Sequence, residues 1–162
     1  MKSNIAAVGL LVCLLSFVWG CEKDDICLEG TPGTPRLQYG FFDYENPEIQ
    51  KPIARLSIKA VSIDSIVPGT YTNLLPLQTD QPFTVYEFIL NPGSEQESST
   101  LVQFNYDRWD EYLNRACGYR ANFILNAQSI AQKNPENSWI KGFEIIQDTI
   151  RNEETLHLAL YH

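Results

Sequence analysis

Histidine is nearly missing from this sequence: His157 and His162 are the only two in 162 residues. His157 alternates with Leu156 and Leu158 along an apolar run, so it is expected to face solvent, and His162 is expected to fray as the terminal residue. Neither is therefore taken as a catalytic base. A serine hydrolase would want a Gly-x-Ser-x-Gly elbow beside such a base, and the chain has no such elbow. Metal-binding runs such as His-Glu-x-x-His, the EF-hand loop and Cys-x-x-Cys are missing too. Glycine-rich phosphate loops do not occur, since Gly30 and Gly33 stand among prolines and threonines. Positive charge is short as well, 12 Lys and Arg against 20 Asp and Glu. That balance excludes nucleic acid, whose phosphates require basic patches, and electrostatic adhesion to anionic headgroups. The acidity is scattered, which points to solubility. The longest apolar run, Ile5–Val18, falls short of the roughly 20 residues that a spanning helix needs. These absences lead us to expect a protein without enzymatic activity or cofactor.

What is present begins at the N-terminus. Lys2 precedes the apolar run, which suits the core of a cleaved export signal. The run ends in Val18-Trp19-Gly20-Cys21, which resembles a lipobox, the processing site of bacterial lipoproteins. A small residue before the cysteine lets the signal peptidase reach the bond, and the thiol accepts a diacylglyceryl group. The expected organisation is a signal peptide over 1–20, a lipidated tether and entry loop over 21–35, and one domain over 36–162. Two or three acyl chains on Cys21 would anchor it stably, each buried CH₂ contributing about 0.8 kcal/mol. Lys23-Asp24-Asp25 resembles the surface-export signal of lipoproteins in the Bacteroidota, which favours the outer face of the outer membrane over the periplasmic one.

Four cysteines reduce to two. Cys13 leaves with the signal peptide and Cys21 is acylated, so Cys27 and Cys117 remain. In an exported protein such a pair usually forms a disulfide; a metal pair or a catalytic thiol are the alternatives.

The rest of the chain reads as short strands separated by turns. Arg36–Asp43 puts Leu37, Tyr39 and Phe41 on one face, and Ala54, Leu56, Ile58 and Ala60 alternate with Arg55, Ser57 and Lys59. Pro68-Gly69 is a turn. Phe83–Leu90 is apolar on both faces. Val102, Phe104 and Tyr106 share a face, as do Cys117, Tyr119, Ala121 and Phe123. Ala121–Gln132 fits a strand or a short helix. Trp139–Asp148 and the alternation of Leu156, Leu158 and Leu160 give two more strands, with Arg151-Asn152-Glu153-Glu154 as the hairpin turn between them. Seven or eight strands with few helices predict an all-β, antiparallel β-sandwich, immunoglobulin-like in kind.

Several motifs recur in one order: Cys21-Glu22-Lys23-Asp24-Asp25-Ile26-Cys27, Thr34-Pro35-Arg36-Leu37, Phe42-Asp43-Tyr44, Leu75-Pro76-Leu77 and Arg115-Ala116-Cys117-Gly118-Tyr119. Together they resemble an uncharacterised family of small Bacteroidota lipoproteins. The resemblance implies an outer-membrane setting and matches the pairing of Cys27 with Cys117. It carries no activity.

Two acidic-aromatic stretches are the remaining candidates for a site. Asp43-Tyr44-Glu45-Asn46 closes the first strand. Asp107-Arg108-Trp109-Asp110-Glu111-Tyr112 reads as a loop joining two strands. Asp107, Trp109, Asp110 and Glu111 could bind a sugar by stacking and hydroxyl contacts, hydrolyse a glycan, or hold Ca²⁺. The expected function is a lipid-anchored binding or accessory module docking on an envelope protein or an extracellular ligand; the alternative is a glycan-directed surface domain.

Overall fold

The computed structural model describes residues 26–67, 73–133, 136 and 138–162. The expected signal peptide over 1–20, Cys21, Lys23, Asp24, Asp25 and the expected turn at Pro68-Gly69 lie outside the described residues.

Ten strands form among the described residues: β1 Leu37–Phe42, β2 Leu56–Ala60, β3 Ser65–Ile66, β4 Leu74–Leu75, β5 Phe83–Leu90, β6 Ser98–Asn114, β7 Gly118–Gln132, β8 Gly142–Ile145, β9 Thr149–Ile150 and β10 Leu158–Tyr161. Val61–Ile63 forms a short 3₁₀ turn. The stretch that fitted strand or helix, Ala121–Gln132, is strand β7.

The strands make two sheets, β4-β1-β10-β8 and β3-β2-β5-β6-β7-β9. All the registered pairs are antiparallel except β1 with β10, which run parallel with Tyr39 opposite Leu158. The protein is thus an all-β sandwich of two antiparallel-rich sheets, the architecture that immunoglobulin-like domains share, with a strand order of its own. β5, β6 and β7 follow one another as a meander.

The core lies where the alternating faces meet. Leu37 and Tyr39 of β1 and Leu158 and Leu160 of β10 pack with Phe88 of β5, Phe104 of β6, and Phe123 and Leu125 of β7. Tyr39 and Phe41 both meet the Phe88 ring edge-on, at 5.9 and 6.4 Å between centroids, joining the two sheets through aromatic contacts.

Two compact units are distinguished. One comprises Pro32–Tyr112 with Tyr119–His162 and holds this core. The other includes Leu113–Gly118 and, of the N-terminal segment, residues 26–31. Within it Cys27 and Cys117 are joined as a disulfide, their Cα atoms 4.8 Å apart.

Several sequence expectations are corrected. Asp107–Tyr112 is no loop: it lies inside β6, which runs 17 residues. Arg151–Glu154 is not a tight hairpin turn. It leads from β9, paired to β7, into β10, which pairs antiparallel with β8. His157 does not face solvent; it is completely buried. The final residue, His162, does not fray. Its N–H donates to the Phe42 carbonyl and its ring packs edge-on against Phe41 and Trp139.

Candidate functional site

The two sheets do not close on each other at one edge. Among the described residues, β4 registers with β1 at Leu37 and Gln38, and β3 with β2 at Lys59 and Ala60. Between β1 and β2 lies a cleft of about 500 Å³, within the range of small-ligand sites. β1 contributes Tyr39, Gly40 and Phe41 to it, and β2 contributes Leu56, Ser57 and Ile58.

The chemistry of the cleft is uniform. No Asp, Glu, Lys, Arg or His lines it among the described residues. The polar residues that line it are neutral: Gln38, Gln50, Asn73 and Ser57. The one titratable lining residue, Tyr39, is held well above the ordinary tyrosine range by burial and by the nearby Tyr86, so it stays a neutral phenol. Such a cleft can take an apolar body and hydrogen-bond its edge. A charged group entering it would lose its hydration with no counter-charge to meet it.

The backbone fixes the wall. Tyr39 N–H donates to the Asn73 carbonyl at 3.0 Å, and Phe41 accepts from Lys51 N–H at 2.9 Å. Gly40 leaves little room there: a Cβ would come 3.0 Å from the Phe42 ring and 3.4 Å from a Leu156 methyl, so those side chains would have to give by a few tenths of an ångström.

The residues singled out in the second acidic-aromatic stretch are separated by the structure. Asp107, Trp109 and Asp110 line a shallow depression with Asp80 and Pro82. Arg108 holds its rim, donating to the Thr79 carbonyl at 2.6 Å and pairing with Asp110. Glu111 belongs elsewhere. Its carboxylate accepts from Arg120 Nε and Nη2 at 2.9 and 2.8 Å, from Asn122 Nδ2 at 2.9 Å and from Arg151 Nη2 at 3.3 Å. The Arg120 and Asn122 hydrogen bonds hold Glu111 below the usual glutamate range. Three of these bonds fall on Oε2 and one on Oε1, so Glu111 faces Arg120, Asn122 and Arg151 and does not line the depression. No three His, Cys, Asp or Glu side chains among the described residues are placed to hold a metal ion together.

The first stretch is also internally satisfied. Asp43 Oδ1 accepts the N–H groups of Glu45 and Asn46, and Oδ2 pairs with Lys51 at 2.7 Å. The Lys51 bond, followed by the two backbone bonds, lowers the Asp43 pKa to about 2.

His157 was missed as a structural residue. Its Nδ1 accepts the Gln38 N–H at 3.0 Å, and its own N–H donates to the Gln38 carbonyl at 2.9 Å. Nε2 is buried without a partner. Burial lowers its pKa, opposed by the nearby Glu153. Glu153 itself is pinned by Arg36 through Nε at 2.7 Å and Nη2 at 2.6 Å. The signal was available in the unbroken apolar run Leu158-Ala159-Leu160, which marks a strand covered on both faces.

The fold and its clefts define a class: a disulfide-bearing, two-sheet β-sandwich with a neutral cleft at its open edge. Residues 55–162, from just before β2 to the end of β10, match the Family of unknown function (DUF6452), and the chain belongs to that family. No curated protein and no solved structure matches it.

Proposed function

We propose that this protein is a non-enzymatic binding module of the bacterial cell envelope, held to the outer membrane by lipid on Cys21, that receives an uncharged ligand in the cleft between β1 and β2. The observation that carries the reading is the cleft itself: about 500 Å³ with neutral polar groups around an apolar wall. The lipobox-like Val18-Trp19-Gly20-Cys21 supports the anchor, and Lys23-Asp24-Asp25 supports an outward-facing domain in a member of the Bacteroidota.

A second reading, glycan binding, draws on the depression where Trp109 stands beside Asp80, Asp107 and Asp110. One experiment addresses both. A photo-crosslinking amino acid is placed at Ser57 in the cleft, at Gln81 in the depression, or at exposed Glu95 as control. After irradiation of living cells, an adduct specific to Ser57 supports the cleft. An adduct at Gln81 alone moves the function to the depression. Identical patterns at all three positions defeat both readings.

A further inference from the structure

We propose that the disulfide-linked pair of segments, 26–31 and Leu113–Gly118, lies against the same membrane surface that holds the lipid anchor, with Ile26 and Leu28 entering the headgroup region. This rests on the reading of Cys21 as acylated. Six peptide units separate Cys21 from Cys27, and at 3.3–3.6 Å each they reach at most about 20 Å. The disulfide then brings Cys117 to 4.8 Å from Cys27, between Cα atoms. A residue far along the chain is thereby kept within the same short radius of the lipid.

The exposed groups kept there include large aliphatic side chains beside the polar Glu29 and Asn114. Ile26 and Leu28, on either side of the bridged cysteine, are each 75 % exposed. Flexibility does not explain that exposure, because the segment is ordered by a turn. Thr31 donates both its N–H, at 3.1 Å, and its hydroxyl, at 2.8 Å, to the Leu28 carbonyl, and Gly30 takes φ +85° in it. The other arm is fixed as well, Asn114 Oδ1 accepting the Cys117 N–H at 2.7 Å. Two large exposed aliphatic side chains, one at the start of an ordered turn and one across the bridged cysteine from it, on a leash shorter than the thickness of a bilayer's hydrocarbon core, have the acyl-headgroup boundary as their nearest apolar medium. The tether, Glu22-Lys23-Asp24-Asp25, carries more acid than base, so the surface that fits is zwitterionic.

The test uses the full lipidated protein in phosphatidylcholine–phosphatidylethanolamine vesicles whose acyl chains carry bromine, a contact quencher of tryptophan. A tryptophan is added as Leu28→Trp or, separately, as Ala116→Trp, and the emission of the parent is subtracted. Both added tryptophans should lose emission in brominated relative to plain vesicles. Breaking the bridge by Cys27→Ser with Cys117→Ser should relieve the quenching at position 116 and leave it at 28. Protein that floats with the vesicles while both tryptophans keep full emission overturns the inference and leaves the anchor standing. Protein that does not float, behaving like its Cys21→Ser variant, overturns the anchor and the inference with it. Leu28 is exposed, so Leu28→Trp gives a folded protein even should the cysteine pair prove indispensable.

Discussion

Protonating His157 would place a charge in a site without water and remove the acceptor that receives the Gln38 N–H. Burial therefore lowers its pKa below the ordinary 6.5. The unfolded chain takes up the proton first as pH falls. The stability this neutral imidazole protects is complete above pH 6.5 and is lost progressively below it, until the folded state also titrates. Calorimetry should show the melting temperature falling between pH 7 and pH 5, before the carboxylates titrate. A His157→Gln variant should lack that part of the fall, whatever its stability at neutral pH. A parent whose melting temperature is flat across this range would contradict the assignment. The same residue shows why alternation misled. Reading one face of β10 as wet assumes a sheet solvated on that side, whereas His157 and Ala159 are as buried as Leu158 and Leu160. The segment returning from β9 covers them: the Gln38 carboxamide, with its nitrogen turned towards them, donates to the carbonyls of Glu153 and Thr155.

β6 and β7 show what period-two patterning records. From Thr100 to Tyr106 every second residue is buried, and this part of β6 is legible in the sequence as Val102, Phe104 and Tyr106. Beyond Tyr106 no residue is fully buried, half-buried Trp109, Glu111 and Leu113 alternating with exposed neighbours, but the strand continues to Asn114, so Asp107–Tyr112 has the composition of a loop and the backbone of a strand. Binary pattern reports burial, and hydrogen bonding to a neighbouring strand leaves no such trace. The cleft was illegible for a related reason. It depends on how short β3 and β4 are and on which sheet each joins, and only the assembled fold decides that. The Cys27–Cys117 pair, by contrast, followed from counting thiols. The turn joining β6 to β7 makes a conformational demand at Gly118, where φ is +70°. Gly118→Ala adds a Cβ that meets nothing within 4 Å, so its cost is conformational alone. Melting should report a loss of about 1–2 kcal/mol; an unchanged melting temperature would mean that the turn relaxes freely.

For the whole molecule, the disulfide joins residues 90 positions apart in sequence. In the chain-entropy view, closing so long a loop in the unfolded ensemble contributes about 4–5 kcal/mol, a large part of a domain's net stability. Reduction, or Cys27→Ser with Cys117→Ser, should lower the denaturant midpoint without changing the far-ultraviolet β signature. A midpoint indifferent to reductant would show that the N-terminal segment is constrained by other means.

The parallel pairing of β1 with β10 has a consequence in time. A chain is made N-terminus first, and Tyr39 cannot meet Leu158 until nearly everything between them has been made. The β2-β5-β6-β7 ladder, built from earlier segments, can assemble while the smaller sheet still lacks one of its two inner strands. While the chain is still being made, the apolar faces of β1 and of the waiting larger sheet are uncovered together. The protein is thus most exposed to misassociation in the interval just before β10 is complete.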